Sequence, residues 1–383
     1  AAITVNNTDG TCTANITNRS NRNLVINGAM LVAQRGTSST TEGVPTVDRI
    51  KTSRSGNDEA PTYAQVDVAS GTTPYTLGFR KAFKVTNGNQ TNGAGASDYS
   101  NINYQFESQD MATSGWNYTS SSSYITLSFW VKSSVAQNFY FSVFTRDGTT
   151  HQYTMETGSL TADTWTKITK TIPGNANVQF DTDTVANSIA RGFDIQWMMF
   201  RGTNNTGTRP LNAWAAIDSA ARSPDQTSTW YTTNDATFEL TGVQLEVGST
   251  ATDFEHRSFA DELSRCQRYY CKSYNYSVVP GTATDPGSIF GRNYSDSSKS
   301  QNSIDVRFPV PMRTTPTTVN GYAPHSGTIA KVSTDGSNPA SCNVENTLNA
   351  FNMLGENGFS GVSTASIGAT DFFGLHFTAD AEM

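Results

Sequence analysis

Hydrophobic and polar residues alternate along many short stretches of the chain. The stretch 124–132 is the clearest: Ile125, Leu127, Phe129 and Val131 fall on one side, and Tyr124, Thr126, Ser128 and Trp130 fall on the other. A period of two is that of a β-strand with one face buried. Similar stretches occur at 23–33, 77–85, 102–106, 139–144, 151–155, 165–172 and 193–199. The chain is therefore expected to be rich in strands.

The most informative strand, 237–247, leads to a change of period. Its alternation shifts by one residue at Gly242, which predicts a β-bulge. After residue 258 the apolar residues recur at spacings of four, three and four, at Phe259, Leu263, Cys266 and Tyr270. This spacing predicts an amphipathic helix, with Ser258 and Asp261 as an acidic form of the capping box. We expect the stripe to pack either on the preceding β-domain or on copies of itself near a threefold axis.

Irregularly spaced strands with long loops predict an all-β protein built as an antiparallel jelly-roll sandwich. We assign residues 1–22 to an N-terminal arm, hairpin or frayed terminus, and residues 23–257 to the jelly roll. Residues 258–270 form the linking helix. Residues 271–383 contain further strand candidates, such as 304–310 and 374–379, and are expected to form a second, smaller β-sandwich.

The amino-acid composition restricts the classes of function that the protein could have. Charged residues make up 15% of the 383 residues, and Ser, Thr and Asn replace them, which suits an extracellular or virion surface. A net charge of −7 without a basic run argues against a nucleic-acid partner. No apolar run is long enough to insert into a membrane, and no signal peptide opens the chain. The four cysteines, Cys12, Cys266, Cys271 and Cys342, are too sparse for a disulfide framework.

Several of these stretches resemble known modules. Residues 23–28 (NLVING), 124–132 (YITLSFWVK), 163–167 (DTWTK) and 237–247 resemble successive strands of family 4/9-type carbohydrate-binding jelly rolls. The segment 242–270 is similar to a module common in tail fibres and other virion surface proteins of bacteriophages, and FPVPMR at 308–313 and FTADAE at 377–382 fit it too. The resemblance spans residues 23–383 and implies a non-enzymatic appendage that is often trimeric and contacts the host surface.

The chain departs from the carbohydrate-binding pattern at one point. Those modules often follow the first Asn-Gly with an acidic residue that helps to hold a structural calcium. Here Asn27 and Gly28 are followed by Ala29 and Met30. We therefore assign no metal site and predict no cofactor.

Sugar recognition needs aromatic platforms with polar groups beside them. Five aromatic residues lie in polar loops, where burial in the core explains them less easily: Trp116, Tyr118, Trp214, Trp230 and Tyr231. They are the predicted glycan-binding residues; the alternative is that their loops fold onto the sandwich or contact another subunit. Trp130 and Trp165 lie on strands and are assigned to the core or a subunit interface, and Trp197 to the core.

Support for catalysis is thin. The histidines are scattered, and no G-x-S-x-G, H-E-x-x-H or phosphate-loop motif occurs. A glycosidase needs two carboxylates at a set separation, and the sequence does not place any pair of Asp181, Asp183, Asp194 and Glu239 across a cleft. Asp181 and Asp183 suit a solvated turn or a calcium ligand pair. We expect a protein that is not an enzyme.

The main hypothesis is a structural phage appendage, a tail fibre or a head fibre. It would be a homotrimer assembled in the host cytoplasm and exposed on the virion. Residues 1–22 would attach it to other virion proteins, and its loops would contact a host glycan. The alternative is a secreted or cell-surface carbohydrate-binding protein. A polysaccharide depolymerase is a third hypothesis.

Overall fold

The computed structural model describes residues 3–5, 12–14, 21–180, 189–292, 301–335, 342–365 and 372–383. The all-β prediction is confirmed, because antiparallel sheets are the main secondary structure of this part of the chain and its helices are few and short. Most of the predicted N-terminal arm, and both Asp181 and Asp183, lie outside the described residues. Within the arm, β1 (Ile3–Val5) and β2 (Cys12–Ala14) pair antiparallel. None of the described helices has both the length and the apolar character of a membrane span.

Two six-stranded antiparallel sheets form the first sandwich. Its strands are β3 (Ser38–Ser39), β4 (Lys51–Ser55), β5 (Thr62–Asp67), β6 (Lys81–Thr86), β7 (Tyr99–Glu107), β8 (Tyr124–Ser133), β9 (Asn138–Thr145), β10 (His151–Ser159), β11 (Thr166–Pro173), β12 (Arg191–Arg201), β13 (Trp214–Ala216) and β14 (Thr237–Val247). The β12 sheet has the order β13-β10-β9-β12-β7-β4, and the β14 sheet has the order β11-β8-β14-β6-β5-β3. The loops carry three short helices, α1 (Thr73–Thr76), α2 (Ser108–Ala112) and α3 (Thr229–Thr232), and a 3-10 turn at Thr203–Asn205.

The core between these sheets follows the alternation of the sequence. The four residues assigned to the inner side of β8, Ile125, Leu127, Phe129 and Val131, are all fully buried. Phe129 packs edge-on against Phe141 and Trp197 of the opposite sheet, with ring centroids 5.0 and 5.6 Å apart. The predicted bulge in β14 is confirmed, because the pairing of β14 with β8 shifts register between Thr241 and Gln244.

The linking helix, α4, runs over Phe259–Gln267, and Ser258 caps it by accepting a hydrogen bond from the backbone N–H of Asp261 at 3.2 Å. The predicted stripe is only partly right. Cys266 is buried, Leu263 is half-buried, Phe259 is 44% exposed, and Tyr270 is buried but lies beyond the helix in the next strand.

The buried face of α4 is centred on Glu262 and Cys266 rather than on Phe259. The Glu262 carboxylate accepts a hydrogen bond from the backbone N–H of Asn27 at 2.7 Å and faces the Arg257 guanidinium at 3.4 Å. A buried carboxylate has to keep such partners, and they fix how the helix is rotated. The helix thus docks on the first sandwich of its own chain.

The remaining strands form one eight-stranded antiparallel sheet. They are β15 (Tyr270–Lys272), β16 (Ile289–Arg292), β17 (Gln301–Arg307), β18 (Thr318–Tyr322), β19 (Lys331–Asp335), β20 (Val344–Phe351), β21 (Gly358–Thr364) and β22 (Phe372–Asp380). The long strand β22 is central, with β15 and β16 on one side and β18 and β19 on the other. Because β16 also lies beside β17, the sheet curls around its own core, which includes Phe308, Phe359 and Phe377.

Buried charges join the two β-bodies. Glu107 of β7 is fully buried and accepts hydrogen bonds from Arg268 Nη2 at 2.9 Å and from the Tyr269 hydroxyl at 2.6 Å. The Arg49 guanidinium lies 3.5 Å from the centroid of the Tyr269 ring and pairs with Glu382 of the second body. Both bodies therefore supply partners for charges that neither could bury alone.

Replacing Glu107 with Ala should lower the free energy of unfolding by about 2–3 kcal/mol, because it leaves the buried Tyr269 hydroxyl without its acceptor and Arg268 without its carboxylate. Urea denaturation of the full chain measures the loss. The control is E356A, which removes an exposed carboxylate of the second body and should change stability by less than about 0.5 kcal/mol. Equal effects of the two substitutions would show that the junction contributes nothing through Glu107.

Candidate functional site

Three of the five predicted sugar-binding aromatics are buried. Trp116 is 3% exposed and packs among core rings, while Trp230 and Tyr231 are fully buried. The Trp230 indole N–H donates to Thr237 O at 3.0 Å, and the Tyr231 ring stacks on Phe200 at 4.4 Å. The prediction that these three residues offer exposed rings for a sugar is wrong, because their loops fold onto the sandwich and bury the aromatic side chains.

Tyr118 and Trp214 are half-buried. Trp214 starts the edge strand β13, where its indole N–H donates to Pro173 O at 2.7 Å and its ring meets Tyr153 edge-on at 5.4 Å. The Tyr118 ring packs edge-on against Phe180 at 4.8 Å. A binding role for these two stays a prediction from the sequence.

The structure brings a different set of aromatic and polar side chains together. A cleft of about 260 Å³ lies on the outer face of the β14 sheet, and we refer to it as the Trp130 cleft. Its lining consists of Leu77, Phe79, Ser128, Trp130, Lys167, Gly242, Thr252, Asp253, Phe254 and His256. Three neighbouring strands and the segment after β14 therefore contribute to one concave surface.

Local structure explains why Trp130 faces outward. Trp130 occupies the polar side of the β8 alternation, so its side chain leaves the sheet on the face opposite Phe129 and Val131. Its neighbours across the strands are Lys167 and Thr241. The Trp130 side chain remains half-buried instead of entering the core.

The bulge at Gly242 lets two rings of the cleft lie close to strand β14. Gly242 has φ +62°, and a Cβ added there would lie 2.7 Å from the Phe79 ring and 3.1 Å from Cδ1 of Trp130. Both the backbone angle and the contacts therefore require glycine. A glycine at the bulge that shifts the register of β14 therefore leaves room for both rings.

One end of the cleft is apolar. The rings of Phe79, Phe254 and His256 contact one another, with centroids 4.8–5.1 Å apart. The His256 Nε2 atom lies 2.9 Å from Leu77 O, which holds the ring in place. This end offers apolar area to a ligand that reaches past Trp130.

Other lining residues carry polar groups that the fold does not use. Lys167 and Asp253 are exposed, and their side chains make no hydrogen bond or ion pair with any described residue. Deeper in the sheet, Lys132 is already engaged: it pairs with Glu239 at 3.0 Å and lies 5.2 Å from the Trp165 ring centroid. Donor and acceptor groups thus stand beside a half-open indole.

Sequence reasoning assigned Trp130 and Trp165 to the core or to a subunit interface. Both are half-buried on the outer face of the β14 sheet, beside the small cluster of Phe79, Ala29 and Val68, and neither enters the core between the sheets. The signal for Trp130 was available, because a tryptophan on the polar side of an alternating strand is not placed there by core packing. Trp197, assigned to the core, is 1% exposed and lies in it.

The carboxylates considered for catalysis are held by cations where the structure describes them. Asp194 pairs with Arg146 and Arg191, and Glu239 pairs with Lys132. Among the described residues, no group of three or more His, Cys, Asp or Glu side chains is arranged to hold a metal ion. The Asn27 amide, which precedes the position considered for a calcium ligand, donates to Val32 O and Asp48 O, both at 2.9 Å.

Comparisons with known proteins leave the family open. No protein-family profile matches the chain, and no curated protein matches it. Among solved structures, it is similar to the enzymatically active domain of bacteriophage CBA120 tailspike protein 4, with 11% identity over 59% of this chain and 22% of that one and a TM-score of 0.32. The chain therefore spans about a fifth of that protein.

Two further solved structures are carbohydrate-binding modules. The alignment with a CBM4 module covers 49% of this chain and 78% of the module, with 10% identity and a TM-score of 0.24. The family 11 module of the cellulase Lic26A-Cel5E of Clostridium thermocellum matches 58% of this chain and 98% of its own, with 11% identity and a TM-score of 0.24. TM-scores this low carry no argument about what the chain binds.

Replacing Gly242 with Ala should destabilise the protein by about 2–4 kcal/mol, the sum of a strained left-handed backbone and an overpacked contact with Phe79 and Trp130. Gly158 is the matched control, since it has φ +71° at a register shift in β10 and no atom within 4 Å of an added Cβ. We expect G158A to cost only the backbone part, about 1 kcal/mol. Denaturation curves measure both; equal losses would mean that Gly242 does not shape the cleft.

Proposed function

We propose that this β-sandwich protein binds carbohydrate and that a sugar ring is held in the Trp130 cleft. The observation that carries the proposal is the half-buried indole of Trp130 in an open cleft, with the unengaged side chains of Lys167 and Asp253 also in the lining. The fold and a surface rich in hydroxyl groups are compatible with this role. The proposal includes no catalytic step.

A sugar matches this cleft chemically. One face of a pyranose presents C–H groups, which pack on an aromatic ring, and its edges carry hydroxyls that need hydrogen-bond partners. Trp130 supplies the ring, the Lys167 ammonium donates, and the Asp253 carboxylate accepts. Phe79 and Phe254 add apolar lining, against which the C–H groups of the sugar can pack.

Replacing Trp130 with Ala should weaken glycan binding at least about tenfold, or about 1.4 kcal/mol, because the stacking surface is lost. The control is Y124A, since Tyr124 lies on the same strand and the same side, is 37% exposed and does not line the cleft. A glycan array identifies ligands, and calorimetry on the best of them measures both variants. Binding that survives W130A but not Y124A would contradict the proposed site.

The role of that binding is a second part of the proposal. From the sequence resemblance we propose that the protein displays its glycan site on a phage particle as a homotrimeric appendage; a secreted carbohydrate-binding protein is the alternative. One structural observation supports association of copies. Phe259 and Tyr276 are 44% and 37% exposed and contact each other edge-on at 5.0 Å, which leaves an apolar patch on the surface beside α4.

Native mass spectrometry should therefore show a complex of three 41.4 kDa chains. Replacing Phe259 with Ser should shift it towards monomer, because the substitution removes exposed apolar area that would be buried between copies. L77S, at a leucine that is 51% exposed outside this patch, is the control. A wild-type chain that stays monomeric at micromolar concentration would contradict the trimer.

A further inference from the structure

Arg201, at the end of β12, is a buried cation without an acidic partner. It is 8% exposed and makes no ion pair with any described residue. Of its donor groups, Nη2 donates to Gln196 Oε1 at 2.7 Å, and Nε is buried without a hydrogen-bond partner. Its guanidinium carbon lies 5.6 Å from the Tyr99 ring centroid.

Other arginines that lie largely out of water have acceptors for their guanidinium groups. Arg209, which is also 8% exposed and makes no ion pair with a described residue, donates to Ala216 O and Ala215 O at 3.0 and 3.4 Å. Arg35 faces Asp48 and Asp380 at 3.3 and 2.9 Å, Arg49 pairs with Glu382, and Arg257 lies 3.4 Å from Glu262. These carboxylates compensate the loss of water around each guanidinium. Arg201 has undergone the same loss of water without that compensation.

A second cation makes the surroundings of Arg201 more positive. Arg222 makes no ion pair with a described residue and lies close enough to disfavour the charged form of Arg201. Burial, followed by the charge of Arg222, lowers the pKa of Arg201 to about 10. Arg201 therefore remains charged at neutral pH, and an anion beside it would relieve both effects.

Arg201 lines a cavity that can admit a ligand. The cavity measures about 290 Å³, and its polar lining includes Arg201, Thr206, Asp225, Gln226 and Ser228. The Gln226 Oε1 atom is buried without a hydrogen-bond partner, while its Nε2 donates to Ser223 Oγ at 3.0 Å. Asp225 is exposed and accepts a hydrogen bond from Thr206 Oγ1 at 2.7 Å. One unpaired cation and two acceptors thus border the same space.

We propose that this cavity is a second binding site and that it takes a sugar residue bearing a carboxylate. The planar fork of Arg201 matches a carboxylate, and the oxygens of Gln226 and Asp225 accept hydrogen bonds from the hydroxyls of the same sugar. A phosphate or sulfate ion fits less well, because it offers fewer hydrogen-bond donors than the sugar hydroxyls from which Gln226 Oε1 and the Asp225 carboxylate would accept. The site lies on the β12 sheet and stands independently of the Trp130 cleft.

The test titrates the full chain with D-glucuronate, D-glucose and inorganic phosphate, using calorimetry at low ionic strength. We expect measurable binding of glucuronate and at least tenfold weaker binding of glucose and phosphate. The variant R201Q should lose glucuronate affinity at least tenfold, and Q226A should lose it several-fold without any change of charge. W130A should retain it, which separates this site from the Trp130 cleft. The charge control is R307Q, at an exposed arginine of the second body.

Stability provides a second readout. If Arg201 is an unpaired cation kept for a ligand, R201Q should unfold at the same or a higher urea concentration than the wild type. An R201Q chain that is much less stable would assign Arg201 a structural role and overturn the proposal. So would glucuronate affinity unchanged in R201Q, or phosphate binding as tight as glucuronate binding.

Discussion

The protein depends on charges that are buried between its two β-bodies. Arg49 of the first body lies against the Tyr269 ring and pairs with Glu382 of the second, while Glu107 accepts hydrogen bonds from Arg268 and Tyr269. Removing a charge from water costs several kcal/mol unless a partner is in place, so each body needs the other to satisfy it. This constraint fixes α4 and β15 against the first sandwich.

The two outer faces of the first sandwich differ in how far the connecting segments cover them. The segment after β12 crosses the β12 sheet, and Gln152 of that sheet donates to the backbone oxygen of Arg222 at 2.6 Å. Arg209 of this segment donates to Ala216 O at 3.0 Å. The β14 sheet keeps an open area at Trp130, because the segment that follows Gly248 lines the cleft with Asp253 and Phe254 without closing it. The paths of the segments after β12 and after β14 therefore determine where a ligand could reach each sheet.

The hydrophobic periodicity of the sequence was sufficient to predict the strands, the Gly242 bulge and the Ser258 cap, because these depend on neighbours within a few residues. It could not predict which face of α4 is buried, because that is set by a hydrogen bond between Glu262 and the backbone N–H of Asn27, more than two hundred positions away. The prediction of exposed aromatic residues in the loops was wrong for the same reason. The polar sequence around Trp230 suggests an exposed side chain, yet contacts with residues distant in sequence bury it completely. Trp130 lay within reach of sequence reasoning, since its position on the polar side of β8 is a local property.

The two candidate sites share one physical feature. A half-buried indole leaves apolar area in contact with water, and a buried guanidinium without a carboxylate leaves charge uncompensated; folding alone recovers neither cost. Trp197, by contrast, is buried, and Arg35 and Arg49 are paired with carboxylates. Departures from otherwise consistent packing and pairing are expected where a protein meets a ligand. Because Trp130 and Arg201 lie on different sheets, the ligand of one does not have to compensate for the other.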